Sequence, residues 1–400
     1  MRVRIILFTI FLLKVCLTSV ASTDQTMPII AYWGVPEQHT SEEAFRTFSE
    51  CGFTVSLFPY SSLLALTEAC RQAHKFGVKI IGNCPEQTKS HHQVTQRLSR
   101  EEGFFGYLIQ DEPDAIQIRQ QQKQIEKIRH SDDKHLFYMN LFPYYNPKWL
   151  KPSLKTDTYT EYLRIASSTS CQQLSFDYYP ITTNGIRATW YYNLEMIRKE
   201  SIRSGKPFWG FVLCTPHNVP YDKGNYYPQP TLASLRLQIY SNLAYGAQAI
   251  QYFTYWTPDS GEFHFHDGPI GQNGKKTRTY RLVQTMNQEL RTVAKLFYNS
   301  RVTSVHHLGT LAEGTTRQNT MPTNIRSLKI EGRQGAIISQ IEKEKHRYLI
   351  IVNKSHQATL TIKIKSSNDI PKFITKQLTE KPMSTTYTVP KGDLIIFKLD

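Results

Sequence analysis

Cysteine is scarce in this chain, with six among 400 residues. None are spaced like a zinc knuckle, which excludes a small metal-folded module. Acidic residues are also in short supply, 33 Asp and Glu against 48 Lys and Arg, for a formal net charge of +15. The basic residues are scattered apart from short clusters such as Gly274-Lys275-Lys276 and Lys343-Glu344-Lys345. A nucleic-acid partner would need a basic stripe or a known motif, and neither is present. The surplus reads as a solvated surface that leans toward acidic polymers. Long hydrophobic runs are missing as well, and the run from Ile5 to Leu13 is too short to span a bilayer. There is no phosphate-cradling glycine loop, no His-Glu-x-x-His and no Gly-x-Ser-x-Gly. Nucleotide-dependent enzymes, zincins and elbow-type serine hydrolases are thereby set aside, and no cofactor or resident metal is implied.

The chain opens on a charged Met1-Arg2-Val3-Arg4, continues apolar through Leu13, and reaches the small residues Ser19-Val20-Ala21. That order predicts a secretory signal over residues 1–21 and a soluble product that is secreted or periplasmic. A lipid anchor on Cys16 is disfavoured by Lys14 and Val15 beside it. Removing the signal leaves Cys51, Cys70, Cys84, Cys171 and Cys214, an odd set. In a core this large they are expected as buried free thiols.

Hydrophobic content of 40% over this length supports one large core and a satellite. Short apolar runs predict strands at Ile29–Trp33, Phe53–Phe58, Val78–Gly82, Gly106–Gln110, His135–Leu141, Gln173–Tyr178, Pro207–Cys214 and Ala249–Tyr255. Between them, helical periodicity covers Ser41–Cys51, Ser61–Phe76, His91–Glu101, Asp114–Arg129, Thr158–Ser168, Ile186–Ser204 and Thr231–Tyr245, with a last helix at Lys276–Tyr298. Several of these helices run into a glycine before the next strand, as at Gly52, Gly77, Gly205 and Gly246. Strict alternation of this kind predicts an α/β fold, a (β/α)8 TIM barrel over residues 27–299. From residue 300 to 400 the helices stop and period-two runs separated by turns predict a small antiparallel β-sandwich.

In such a barrel the chemistry sits where strands end. The fourth strand ends Gly106-Tyr107-Leu108-Ile109-Gln110-Asp111-Glu112-Pro113, and Pro113 cannot donate to a sheet ladder. Two acids held at that rim suggest proton transfer, with Glu112 as general acid. The competing reading makes Asp111 and Glu112 helix caps. A second carboxylate is expected from Asp177, in Ser175-Phe176-Asp177-Tyr178-Tyr179-Pro180 at the end of the sixth strand, if it points inward. Sugar contacts are expected from Asp111, Tyr32, Trp33, Asn140, Tyr178, His217, Tyr255 and Trp256, the last as a floor for a ring. Asn83, Glu86, Tyr144 and Tyr145 stand near the same mouth. The seventh strand ends without an acid, on Cys214-Thr215-Pro216-His217. A Cys214–His217 nucleophile or a metal held by His264 and His266 are minor rivals.

These stretches, together with Leu235–Ala247 leading into Tyr252–Pro258, resemble clan-A glycoside hydrolases. The closest likeness is to exported proteins related to the catalytic domain of family 42 β-galactosidases. The resemblance implies an acid/base glutamate closing strand four, here Glu112, and a glutamate nucleophile closing strand seven, where this chain has Cys214-Thr215. The residue before the acid is usually asparagine and is here Asp111. The expectation is therefore a glycosidase acting on oligo- or polysaccharides, with Glu112 and Asp177 as its carboxylates. The alternative is a carbohydrate-binding protein on a glycosidase barrel.

Overall fold

The computed structural model describes residues 26–219, 224–259, 261–331 and 335–400. The expected signal at 1–21, Cys16 included, lies outside them. Eight parallel strands close the barrel: β1 (Ile29–Tyr32), β2 (Val55–Pro59), β3 (Lys79–Asn83), β4 (Phe104–Asp111), β5 (Leu136–Leu141), β6 (Leu174–Phe176), β7 (Phe208–Leu213) and β8 (Ala249–Phe253). The TIM-barrel expectation is met. Strand alternation sorts the side chains into two layers. Ile30, Val55, Leu57, Ile81, Leu108, Tyr138, Trp209 and Ala249 fill the barrel interior. Residues of the opposite parity, such as Ile29, Phe137, Leu174 and Ile250, pack outward against the helices.

The helices begin and end where local chemistry directs. Ser41, Ser62, Thr158 and Thr231 each accept a backbone N–H at a helix start. Gly205 and Gly246 close theirs with φ of 72° and 104°, a left-handed conformation that a β-carbon would strain. One boundary differs from the expectation. Ile181–Thr182 pairs with Gly185–Ile186 in a small hairpin, so the helix expected from Ile186 runs Trp190–Ser204. Apolar spacing alone could not separate those strand residues from the helix that follows.

After the barrel, strands Arg301–Leu308, Ala336–Lys343, His346–Asn353, Leu394–Lys398, Lys372–Ile374 and Glu380–Pro382 form one antiparallel sheet in that spatial order. Ile325–Glu331, Leu360–Ser366 and Thr386–Val389 form a second. The larger sheet is covered on both faces. Ile338, Leu349, Ile351 and Phe397 face the smaller sheet, whereas Ile337, Ile350, Val352 and Ile396 face the barrel core. That explains the unbroken apolar runs in these strands. The barrel helix Leu232–Tyr245 packs against this sheet and is buried almost all round, as a helix wedged between two layers must be.

Candidate active site

A β-bulge sets the site. In β4 the register against β5 shifts between Leu108, opposite Tyr138, and Gln110, opposite Met139. Without the shift, Gln110 would follow Leu108 inward and Asp111 would point out. With it, Gln110 turns outward and accepts from Gln121 Nε2 at 2.8 Å, while Asp111 faces the mouth beside Asn140. Glu112 follows with a φ of 43°, its N–H donating to the Asn140 carbonyl at 2.9 Å. A non-glycine residue held left-handed at a strand tip is an aimed side chain, of the kind that concentrates at functional positions. The capping alternative is answered by Asp114. It caps the following helix itself, accepting from Ile116 and Gln117 N–H groups in a capping box with Gln117.

From β6, Ser175 and Asp177 share the inward parity, and Leu174 and Phe176 pack outward. Asn140 ties the cluster together. Its Nδ2 donates to Asp111 Oδ1 at 3.1 Å and to Asp177 Oδ1 at 3.0 Å. The amide is held by a chain of buried polar groups beneath it. Ser175 Oγ donates to Asn140 Oδ1 at 3.0 Å, Gln251 Nε2 donates to Ser175 Oγ at 2.8 Å, and Tyr138 OH donates to Gln251 Oε1 at 2.7 Å. Every link is satisfied, so the amide nitrogen is committed to the two carboxylates.

The acids are accessible from the bowl yet crowded by protein on every other side. Burial, then the charge of Asp177, then that of Asp111 push the Glu112 carboxyl well above the usual carboxylate range. Burial and the Asp111 charge raise Asp177 as well, against hydrogen bonds from Asn140 and Tyr179. Burial also raises Asp111, opposed by hydrogen bonds from Tyr32 and Asn140. Like charges this close cannot all ionise, so the cluster retains a proton toward neutral pH and titrates as a unit.

The far wall is aromatic. Tyr32 lies 5.7 Å from Phe211 and 6.1 Å from Phe253 between ring centroids, and Tyr179 lies 5.4 Å from Phe253. The structure thus brings Tyr32, Asp111, Glu112, Asn140 and Asp177 together. Tyr179 belongs with them, although the sequence pattern did not single it out. It shares parity with Ser175 and Asp177, a signal that only a known register makes readable.

Other expected contacts need correction. Tyr178 has the opposite parity, is buried, and bonds Thr189 Oγ1 at 2.7 Å. Tyr255 is buried against Phe48 and Phe53 in the outer layer. Trp256 offers no free sugar floor, because it is buried and its indole stacks on His39 at 4.3 Å. Trp33 packs on Phe58 while its carbonyl accepts from the N–H groups of Tyr255 and Trp256, so it shapes the first loop. Glu86 accepts from Leu63 N–H at the start of helix Leu63–His74, away from sugar duty. Tyr144 is buried beside Tyr192, and Tyr145 packs on Tyr178.

The cysteine rival also fails. Cys214 is fully buried, its Sγ donates to the Thr254 carbonyl at 3.0 Å, and burial pushes its thiol up to about 12. His217 bonds Thr215 O at 2.9 Å and is pressed between Tyr227 and Phe265, and burial lowers it to about 4. It adds a neutral ring to the aromatic wall. Among the described residues, the five cysteines are free and buried, and no three His, Cys, Asp or Glu side chains cluster as metal ligands. His266 is exposed beside Asp267. No described helix is long and apolar enough to cross a membrane.

A sequence profile of the family 42 glycoside hydrolases, described as Beta-galactosidase, matches residues 117–293. No curated protein matches the chain. Among solved structures, the β-galactosidase of Bacillus circulans sp. alkalophilus aligns with a TM-score of 0.65 at 9% identity, over 95% of this chain and 100% of that one. A catalytic mutant of a family 42 β-galactosidase from G. stearothermophilus aligns at 0.61 with 7% identity, over 94% and 98%. The cold-adapted β-galactosidase of Rahnella sp. R3 aligns at 0.58 with 10% identity, over 95% and 99%. At such identities the likeness is one of fold. The chain resembles the clan-A glycoside hydrolases of the family 42 type, with the closed barrel followed by antiparallel β-sheets.

Proposed function

We propose that the chain is a glycoside hydrolase that cleaves O-glycosidic bonds of oligo- or polysaccharides, with Glu112 as proton donor and Asp177 as its partner carboxylate. One observation carries the reading: Asn140 gathers Asp111, Glu112 and Asp177 at the open mouth, its amide bonded to both aspartates and its carbonyl to the Glu112 N–H, and the neighbouring charges raise Glu112 far enough to keep its proton near neutral pH. General acid catalysis needs a carboxyl that is protonated at working pH and reaches the leaving oxygen. Asp177, closest to it, is the group to activate water or attack the sugar. A retaining pair stands about 5 Å apart and an inverting pair about 6.5–9.5 Å. Asn140 and Tyr179 hold Asp177 in place, and the Glu112 N–H on the Asn140 carbonyl fixes the strand tip that carries the acid. A β-galactosidase-like specificity is the finer form of the proposal, suggested by the family profile.

The proposal extends to organisation and address. We take residues 27–299 as the catalytic unit, 300–400 as its β-sandwich, and 1–21 as an export signal. N-terminal sequencing of the exported protein, beginning just after Ala21, would bear out the last.

A second reading, glycan binding without cleavage, draws on one observation. All three acids stand on the β4–β6 wall, and the β7 tip offers Cys214 and Thr215, both hydrogen-bonded to Thr254. The experiment that separates the readings is turnover of wild type and Glu112→Gln on a panel of β- and α-glycosides and plant oligosaccharides. Hydrolysis by wild type that Glu112→Gln loses supports the enzyme. Calorimetric binding without any product from wild type supports the second reading.

A further inference from the structure

A second cleft, of about 530 Å³, opens where the sandwich meets the barrel. That is ample for a small organic ligand, and it shares no residue with the carboxylate cluster. Ile186 and Tyr191 line its barrel side; Leu311, Lys354 and His356 line its sandwich side. The Lys354 amine donates to the Thr310 carbonyl at 2.7 Å and to His307 Nδ1 at 3.1 Å, and sits 5.0 Å from the centre of the Tyr191 ring. His307 adds no charge, since burial lowers it to about 3 and its Nε2 meets Tyr245 OH at 2.8 Å.

What Lys354 lacks is an anion. Glu313 lies on the same lip but makes no ion pair with it, and among the described residues no carboxylate lies within 4.0 Å of the amine. Arg236 and Lys376, elsewhere on the junction, both face Glu289 and Asp393. Burial alone lowers the Lys354 ammonium to about 8. His356 lines the same cleft, and its Nδ1 is buried with no hydrogen-bond partner. A half-buried ammonium without counter-charge in an open cleft, with an orphan ring nitrogen in the wall of that cleft, is what an anionic group would satisfy. Ile186 and Leu311, 36% and 38% exposed, present aliphatic faces on the two lips, where a ring would rest.

We propose that this junction cleft binds a sugar unit bearing an anionic group, carboxylate or sulfate, with Lys354 and His356 facing the anion and Ile186 and Leu311 flanking the ring. The anion follows from Lys354 and His356 alone; the sugar rests on the hydrolase reading. The surplus of basic residues over acidic ones, 48 against 33, suits an acidic glycan that occupies both clefts.

Calorimetry on the Glu112→Gln full chain tests it, with trigalacturonate, a sulfated galactose disaccharide and neutral galactotriose as probes. The expected result is binding of at least one acidic probe, at least tenfold tighter than galactotriose, with the better acidic probe naming the anion. Lys354→Met and Ile186→Asp should each weaken it tenfold or more. Ile186→Asp changes an exposed side chain and leaves the Lys354 contacts in place, so it reports even if Lys354→Met fails to fold. Equal binding of the neutral sugar, no binding of either acidic probe, or unchanged affinity in Ile186→Asp would overturn the site. Absence of any turnover by wild type would remove the hydrolase reading while leaving the measured preference for the anion intact.

Discussion

Two clusters of charge in this molecule obey opposite rules. At the junction between barrel and sandwich, Arg236 and Lys376 alternate with Glu289 and Asp393, and each acid meets a base within 4.0 Å. Burial alone would raise the Glu289 carboxyl, but hydrogen bonds from Arg236, Lys376 and Tyr240 bring it down to about 2. At the mouth, Asp111, Glu112 and Asp177 meet, among the described residues, without any such base, and all three are raised. Matched charge holds two domains together. Unmatched like charge costs stability, and a fold retains it where a proton is to be moved.

The sharpest way to break the comparison is to remove one acid from each cluster. Glu112→Gln should lower kcat on unactivated glycosides by about 10³-fold, within the range general acid catalysis supplies. Asp177→Asn should cost about 10²-fold or more, checked on the same substrates. Neither should destabilise the chain. Both relieve repulsion, so at pH 8 differential scanning calorimetry should show Tm equal to or above wild type. Glu289→Gln should do the reverse. It leaves Arg236 and Lys376 short of a partner and should lower stability by about 2–3 kcal/mol, read by denaturant unfolding, with turnover intact.

The pH dependences should also be opposed. The folded Glu289 value lies below the unfolded one, so its contribution is complete above about pH 4.5 and is lost as pH falls toward 2. The mouth acids have raised folded values. What they contribute is present at acid pH and is lost as pH climbs through neutrality. Tm measured from pH 3 to 9 should therefore lose its alkaline decline in Glu112→Gln and its acid decline in Glu289→Gln.

A smaller effect tests the buried relay. In Ser175→Ala the Asn140 amide loses its anchor, and the hydrogen bonds that hold Asp111 and Asp177 down weaken. The acid limb of the pH–rate profile should move upward by a fraction of a unit, with KM little changed. Smallest of all, Tyr178→Phe removes only a bond to Thr189 and should leave turnover within about twofold.

Much of the fold, and the rim position of the acids, is legible in the amino-acid sequence. The alternation of apolar runs and amphipathic stretches specifies the barrel, because each strand and helix must bury its own periodic face. Asp111-Glu112-Pro113 marks the rim, because a proline ends pairing. What cannot be read is phase. A one-residue bulge after Leu108 decides that Asp111 faces in, and the parity of a three-residue strand decides between Tyr178 and Tyr179. Trp256 resembles a platform because nothing local foretells that His39, from another loop, covers it. Gln251, polar in the middle of an apolar strand, is a visible clue to the relay, since a fully buried amide demands partners.

The most direct test of the proton donor compares leaving groups. The account predicts that Glu112→Gln hydrolyses a dinitrophenyl glycoside, whose departing oxygen needs no proton, at close to the wild-type rate. On the matching alkyl glycoside or disaccharide it should lose about 10³-fold. Equal losses on both substrates, or no loss on either, would contradict it.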